Sequence, residues 1–509
     1  MRGGRPLATF WVDLATANPL VTVIVTDTDV NGTILAVGDQ TLVSQRRPND
    51  RVESLSGGFV TPGFWDSHVH LLEWGRSFSR VRCQADDGLD QVLSKVRQRA
   101  RELAAEQWLI GVGWNRQALG RDPDIASLDQ AADSHPALMV SLDYHTVWLN
   151  HLAIERLQLR GEEARRASQT GILREDRAFW AQDEAARLDE AGTRAAVGRA
   201  VQSAVQAGFV GVTAMEDRHG LLTLAASDAV EGKLRIQLFL RHQAGRGLLR
   251  AGISQGFGYH LLTIMGVKLF VDGALGSHTA WMREPYLEEP GNMGICALSP
   301  PALRRWASLL TNGGLLAAVH AIGDQAVHEA VKALQHRPGM NGAMHRIEHA
   351  QLLGDEDLDG LMGSAVGLSM QPAHLLVDRD IADRYWGARS RGAFRFADIL
   401  RSGIPLAFGS DAPIAPLEPV SGLWAAVHRA RPGDEPWYPD QRITSDEAIW
   451  CYTRGPAILD GRPSGLIEPG YWGDLTVWRE DPRIGLSTGE PERLAVQATI
   501  VAGRRVFGV

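Results

Sequence analysis

Eight apolar, β-branched runs punctuate the chain, and each ends in polar residues. They are GFVTPGFWDSHVH (58–70), GFVGVTAMED (208–217), LRIQLFLRH (234–242), LLTIMGVKLFVDGA (261–274), GLLAAVHAIGD (314–324), HRIEHAQ (345–351), AVGLSMQP (365–372) and IPLAFGSDAP (404–413). Helix-like stretches lie between most of them. AGTRAAVGRAVQSAVQAG (191–208), SPPALRRWASLLTNGG (299–314) and DQAVHEAVKALQHRPG (324–339) are the clearest, with Ser299 in N-cap position. Strands alternating with helices predict βαβ units and a parallel sheet. Eight units predict an α/β fold of the (β/α)8 TIM-barrel type.

The alternation breaks between residues 75 and 190, where charged helical segments surround QWLIGVGWN (107–115) and PALMVSLDYHTVWLN (136–150). A βα connection is usually short, so this span is predicted to be an insertion after strand one. The chain ends differ again. VTVIVTDTDVNGTILAVGDQ (21–40), YWGDLTVWRED (471–481) and AVQATIVAGRRVFGV (495–509) alternate as half-buried strands do. The expected layout is a small β-sandwich from residues 1–57 plus 462–509, and a barrel over 58–461 carrying the 75–190 insertion.

Composition narrows the function. The chain has 509 residues and a net charge of −8, with no Lys/Arg-rich run, which disfavours nucleic-acid binding. No segment has 18 apolar residues in a row, so no membrane span is expected. Cys83, Cys296 and Cys451 lie far apart, with no C-x-x-C pair. They suggest neither a disulfide framework nor a thiolate site, and a cytoplasmic location fits best. A small-molecule substrate is the expected partner, and homo-oligomerisation stays open.

Chemistry gathers at the strand ends, the barrel face on which active sites are built. His68 and His70 end strand one, and residues two apart on a strand face the same side. With 16 histidines in the chain, an H-x-H alone is a weak signal. Lys268 lies in strand four, ahead of Asp272; His320 ends strand five, His349 strand six and Asp411 strand eight. Singly, each has an ordinary reading: a hydrogen-bonded core histidine, a snorkelling lysine, a loop-start aspartate. Together, four imidazoles and a carboxylate in barrel order suit a divalent metal that takes nitrogen and oxygen donors, such as Zn²⁺, Fe²⁺, Mn²⁺ or Ni²⁺.

The motifs TPGFWDSHVHL (61–71), GVKLFVDGALGSHTA (266–280), VHAIGDQAV (319–327), RIEHAQ, FGSDAPI and GLIEPGYWGDLTVW resemble the amidohydrolase superfamily. More narrowly, they resemble its YtcJ-like branch, which includes N-substituted formamide deformylase. LDYHTVWLNHLAI (142–154) is similar to that branch's insertion. The resemblance runs from about residue 55 to the end. It implies a distorted barrel flanked by a β-sandwich. It also implies metal ligands at His68, His70, His320, His349 and Asp411. Lys268 stands where binuclear members carry an N6-carboxylated lysine that bridges two metals. One or two ions, most simply Zn²⁺, are therefore implied.

The mechanism expected on this reading is hydrolysis of a C–N bond, of amide or N-formyl type, by a metal-activated hydroxide. Asp411 would act as general base and then general acid. The alternatives are deamination of an aminated ring on the same barrel, or a non-catalytic relative. Fifteen tryptophans suggest an aromatic-lined pocket. Trp114 and Trp281, with His145, are the candidate substrate contacts, and packing within the insertion is the competing reading for the tryptophans.

Overall fold

The computed structural model describes residues 10–13, 23–26, 32–38, 51–54 and 58–508, except 85, 105, 117, 122, 142–145, 175, 229, 231 and 260. These residues form two compact units. One runs to Leu71 and resumes at Val201; the other is Leu72–Ala200.

The first unit contains the barrel. Its strands are Phe64–Val69, Phe209–Glu216, Arg235–Arg241, Leu262–Phe270, Leu316–Ala321, His345–His349, Val366–Met370 and Leu406–Phe408. They run in this order around one sheet, with every neighbouring pair parallel. Each of the eight apolar runs thus supplies one strand. All are nearly continuously buried, as expected for a parallel sheet covered on both faces. Strand eight meets strand one through its trailing segment: Asp411 N–H donates to His68 O at 2.7 Å, and His70 N–H to Ala412 O at 2.9 Å. Gly409 permits this closure, because a Cβ there would lie 2.5 Å from His68 N.

The helices follow the expected pattern but end earlier, at Glu190–Gln206, Pro300–Asn312 and Asp324–Leu334. Ser299 is the N-cap residue of the second, but its side chain makes no capping bond; two prolines begin that helix instead.

The boundary between barrel and flanking sheets shifts from its expected place at 57/58. The run 58–70 is two strands, not one. Phe59–Pro62 pairs antiparallel with Leu475–Trp478, and only Phe64–Val69 joins the barrel. Pro62 lacks an N–H to continue a ladder, and Gly63 donates instead to Asp474 O at 2.8 Å. Phe59–Pro62 belongs to a four-stranded sheet with Leu475–Trp478, Val496–Val501 and Arg504–Gly508. A second four-stranded sheet holds Phe10–Asp13, Val23–Thr26, Ile34–Gly38 and Arg51–Ser54. Ile34 packs in a buried cluster with Val60, Leu475, Val477, Ala498 and Ile500, which joins the two sheets.

The second unit extends beyond the expected 75–190. Gly75 packs so closely against helix Glu190–Gln206 that a Cβ would fall 2.0 Å from Ala196 O, which ties both ends together. Its five-stranded sheet runs Ile172–Arg174, Thr146–Leu149, Ala137–Ser141, Leu109–Trp114 and Val81–Arg82. Alternate residues of Ala137–Ser141 feed separate cores: Ala137 and Met139 in one, Leu138 and Val140 in the other. No helix among the described residues is long and apolar enough to cross a membrane.

Candidate metal centre

His68, His70, Lys268, His320, His349 and Asp411 all lie at or near the C-terminal ends of barrel strands in the first unit. The backbone is strained at two of these candidates. His349 has φ +70° and Asp411 φ +57°, in the left-handed region that non-glycine residues avoid.

Hydrogen bonds set the tautomers. His68 Nδ1 lies 2.6 Å from Glu348 Oε2, and His70 Nδ1 lies 3.1 Å from Met215 O. Both acceptors require N–H at Nδ1, so each Nε2 keeps a free lone pair. Those two nitrogens stand 3.5 and 3.4 Å from Asp411 Oδ1. His320 is held the opposite way: its Nε2 donates to Gly273 O at 3.0 Å and leaves Nδ1 free. Its ring centroid is 4.5 Å from that of His349, which is 4.9 Å from that of His68.

Burial keeps His68, His320 and His349 neutral, the form that binds metal. His68 is pushed down to about 4 and His320 to about 3 by burial, with the Lys268 charge acting in the same direction on both. His349 is also driven well below its ordinary value, by burial and then by His320. Asp411 goes the other way for a carboxylate. Burial would raise it, but the surrounding imidazoles hold it well below the usual range, so it stays ionised.

Lys268 is 1% exposed, and its Nζ lies 3.4 Å from His68 Nε2. Burial lowers it to about 8, against the pull of Glu348 and Asp411. It does not pair with Asp272. That carboxylate accepts the backbone N–H groups of Trp281 (3.0 Å), Ile322 (3.1 Å) and Gly323 (2.9 Å), and so fixes the loops around His320.

Three site groups escaped the sequence reading. Glu348 grips His68 and is itself held by Arg346 Nε at 2.6 Å. Asp66 accepts His68 N–H at 3.0 Å and Ser410 N–H at 3.1 Å, joining strand one to the segment that carries Asp411. His374 follows strand seven, with Nε2 3.9 Å from Asp411 Oδ2. The usable signal for His374 was positional: strand seven alone among the last five strands had no candidate at its end.

The proposed substrate contacts fare differently. Trp114 is corrected. It is 2% exposed inside the core of the second unit, edge-on to Trp148, with its indole N–H donated to Met139 O at 2.8 Å. Its polar atom is already satisfied and its rings are packed away from solvent, so it is a core residue. His145 lies outside the described residues. Trp281 is half-buried and lines a cavity of about 510 Å³ with Met282, Met293, Gln325 and His328.

The donor set fits a metal. Ligand atoms of His68, His70 and Asp411 lie within 4.8 Å of one another, and so do those of His349, His374 and Asp411. All are nitrogen or oxygen donors, and the buried His374 Nε2 has no hydrogen-bond partner.

A closed parallel barrel with clustered imidazoles and an ionised aspartate at one mouth defines a metal-dependent hydrolase. The amidohydrolase family model matches residues 51–507, and the chain belongs to that family. It is 28% identical over 509 residues to the Bacillus subtilis (strain 168) protein named "Putative amidohydrolase YtcJ", covering 94% of each. It is 25% identical to the N-substituted formamide deformylase of Arthrobacter pascens over 515 residues, 93% of each. An uncharacterized metal-dependent hydrolase from Pyrococcus horikoshii OT3 superposes with a TM-score of 0.78 at 26% identity, covering 94% of this chain and 98% of that one.

Proposed function

We propose that this protein hydrolyses the carbon–nitrogen bond of an amide or N-formyl amine in a small molecule, with Zn²⁺ as its cation. The observation that carries this reading is Asp411: one ionised carboxylate within 3.5 Å of both His68 Nε2 and His70 Nε2. The relative active on N-substituted formamides supports the bond type.

His68, His70 and Asp411 would hold the cation, with His320 Nδ1 and His349 facing the same space. Zn²⁺ there supplies Lewis acidity for a carbonyl and lowers the pKa of water toward 7. The chain does the rest. Asp411 accepts the proton of the attacking water and returns it to the leaving nitrogen, as a base and then an acid. Glu348 keeps His68 in the tautomer that frees Nε2. Asp66 keeps the Asp411 segment against strand one.

Lys268 is read as carboxylated. A buried ammonium 3.4 Å from a ligand nitrogen opposes a cation, whereas the anionic carbamate formed with CO₂ would ligate it.

The test is a substrate panel on zinc-loaded protein: N-formyl amines, acyclic amides, cyclic amides and aminated heterocycles. Release of free amine from the amides or formamides is expected. Ammonia release from the heterocycles alone would replace this reading with deamination, and inertness toward every class would refute it.

A further inference from the structure

His374 has no part in the ligand set expected for this barrel, yet it is built into the same space. It sits in a short 3₁₀ turn, Pro372–His374, directly after strand seven. Its side chain is 12% exposed, and Nε2 is buried without a hydrogen-bond partner. A buried, unsatisfied imidazole nitrogen is costly unless a ligand completes it. Its ring lies parallel to that of His349, with an interplanar angle of 17° and centroids 6.3 Å apart. Both rings converge on Asp411.

Asp411 divides its oxygens. Oδ1 faces His68 and His70 at 3.5 and 3.4 Å, while Oδ2 faces His374 at 3.9 Å. The ligand atoms of His349, His374 and Asp411 lie within 4.8 Å of one another and form a second triad that shares only Asp411 with the first. Nitrogen atoms that both bind a cation at about 2.0–2.1 Å must lie within about 4 Å of each other, so small adjustments suffice.

We propose that His374 is a metal ligand: with His349 and the second oxygen of Asp411 it would hold a second cation. The proposal rests on the metal-dependent reading above and adds a strand-seven ligand to it. The rival role is hydrogen bonding, in which His374 Nε2–H holds substrate and no cation.

Metal counting separates these. Wild type, His374→Ala and His374→Gln are stripped with chelator, loaded with Zn²⁺ or Co²⁺, desalted and analysed for metal per chain. Circular dichroism checks the fold of each. Co²⁺ absorption spectra follow the filling of each position without reference to activity. The expected result is close to two cations in wild type and close to one in both variants, with the later-filling spectral component lost. His374→Gln keeps an N–H donor of similar reach, so a substrate-binding role would show full metal content and activity rescued by glutamine. That result would overturn the proposal. Should neither variant fold, His374→Asn is put through the same count, and saturation of wild type at one cation overturns the proposal. A wild type that binds no cation would instead remove the metal-dependent reading itself.

Discussion

Replacing Glu348 by alanine removes the partner of two buried groups at once. Glu348 is 0% exposed; Oε2 lies 2.6 Å from His68 Nδ1 and Oε1 accepts Arg346 Nε at 2.6 Å. Arg346 is 1% exposed, and its other carboxylate, Asp460, lies 3.5 Å away. At 2.6 Å and an effective dielectric constant of about 20, the gross Arg346–Glu348 attraction is about 6 kcal/mol. The solvation both ions gave up offsets part of it. Truncating one partner then strands the guanidinium in the barrel, at a cost of about 3–5 kcal/mol. Glu348→Ala is therefore expected to lose that much stability in urea unfolding of the metal-free protein. His68 also loses its tautomer lock, and cation affinity should fall about 10–100-fold in competition titrations with a chromophoric chelator. Glu348→Gln keeps an acceptor for His68 Nδ1–H, so it should retain more affinity than alanine while still losing stability. Unchanged unfolding and unchanged cation affinity in Glu348→Ala would rule out this role for Glu348.

Asp411→Asn should keep its fold and lose about 10²–10⁴-fold in kcat, measured on whichever substrate the panel identifies; near-normal turnover would make Asp411 a ligand only. Lys268→Ala should bind less cation than wild type and regain part of it with a short carboxylic acid, as a missing carbamate would; unchanged metal content would exclude carboxylation. Trp114→Ala should cost about 3–5 kcal/mol in unfolding of the inserted unit, from a large cavity in its core. Burial pushes Asp272 up from 3.8 to about 7, only partly offset by its backbone donors. A carboxyl whose folded pKa is raised stabilises the fold when protonated. Its contribution, about 4 kcal/mol, is complete below 3.8 and is lost as pH rises through 7. Urea unfolding of the metal-free protein across that range should show the loss, and Asp272→Asn should reduce it, the rest belonging to Asp66, which burial also raises to about 7.

The barrel was legible because each parallel strand is buried on both faces and reads as one apolar run. The cluster of candidate ligands was legible because barrel chemistry sits where those runs end. His68, His70, His320, His349 and Asp411 each close a run, and the structure places them in one space. What the sequence hides is the partner shell. Glu348 reads as a strand residue beside His349, and its role toward His68 exists only because strands six and one face each other across the barrel. Strand-pair boundaries were hidden for a similar reason. Phe59–Pro62 and Phe64–Val69 form one unbroken apolar pattern, and only a tertiary partner distant in sequence, Leu475 against Pro62 in reverse order through Trp478 against Phe59, tells them apart. Trp114 shows the opposite error. A tryptophan count says nothing about direction, and the inserted unit uses this one to fill its own core.

The central claim is that catalysis depends on a cation held by the barrel histidines and on Asp411. The most direct measurement strips the protein with chelator, confirms its fold by circular dichroism, and titrates Zn²⁺ back while recording both metal content and amine release from the best formamide or amide substrate. The expected result is a folded, inactive apo-protein whose activity returns in proportion to bound zinc. Full turnover by folded protein free of metal would contradict it.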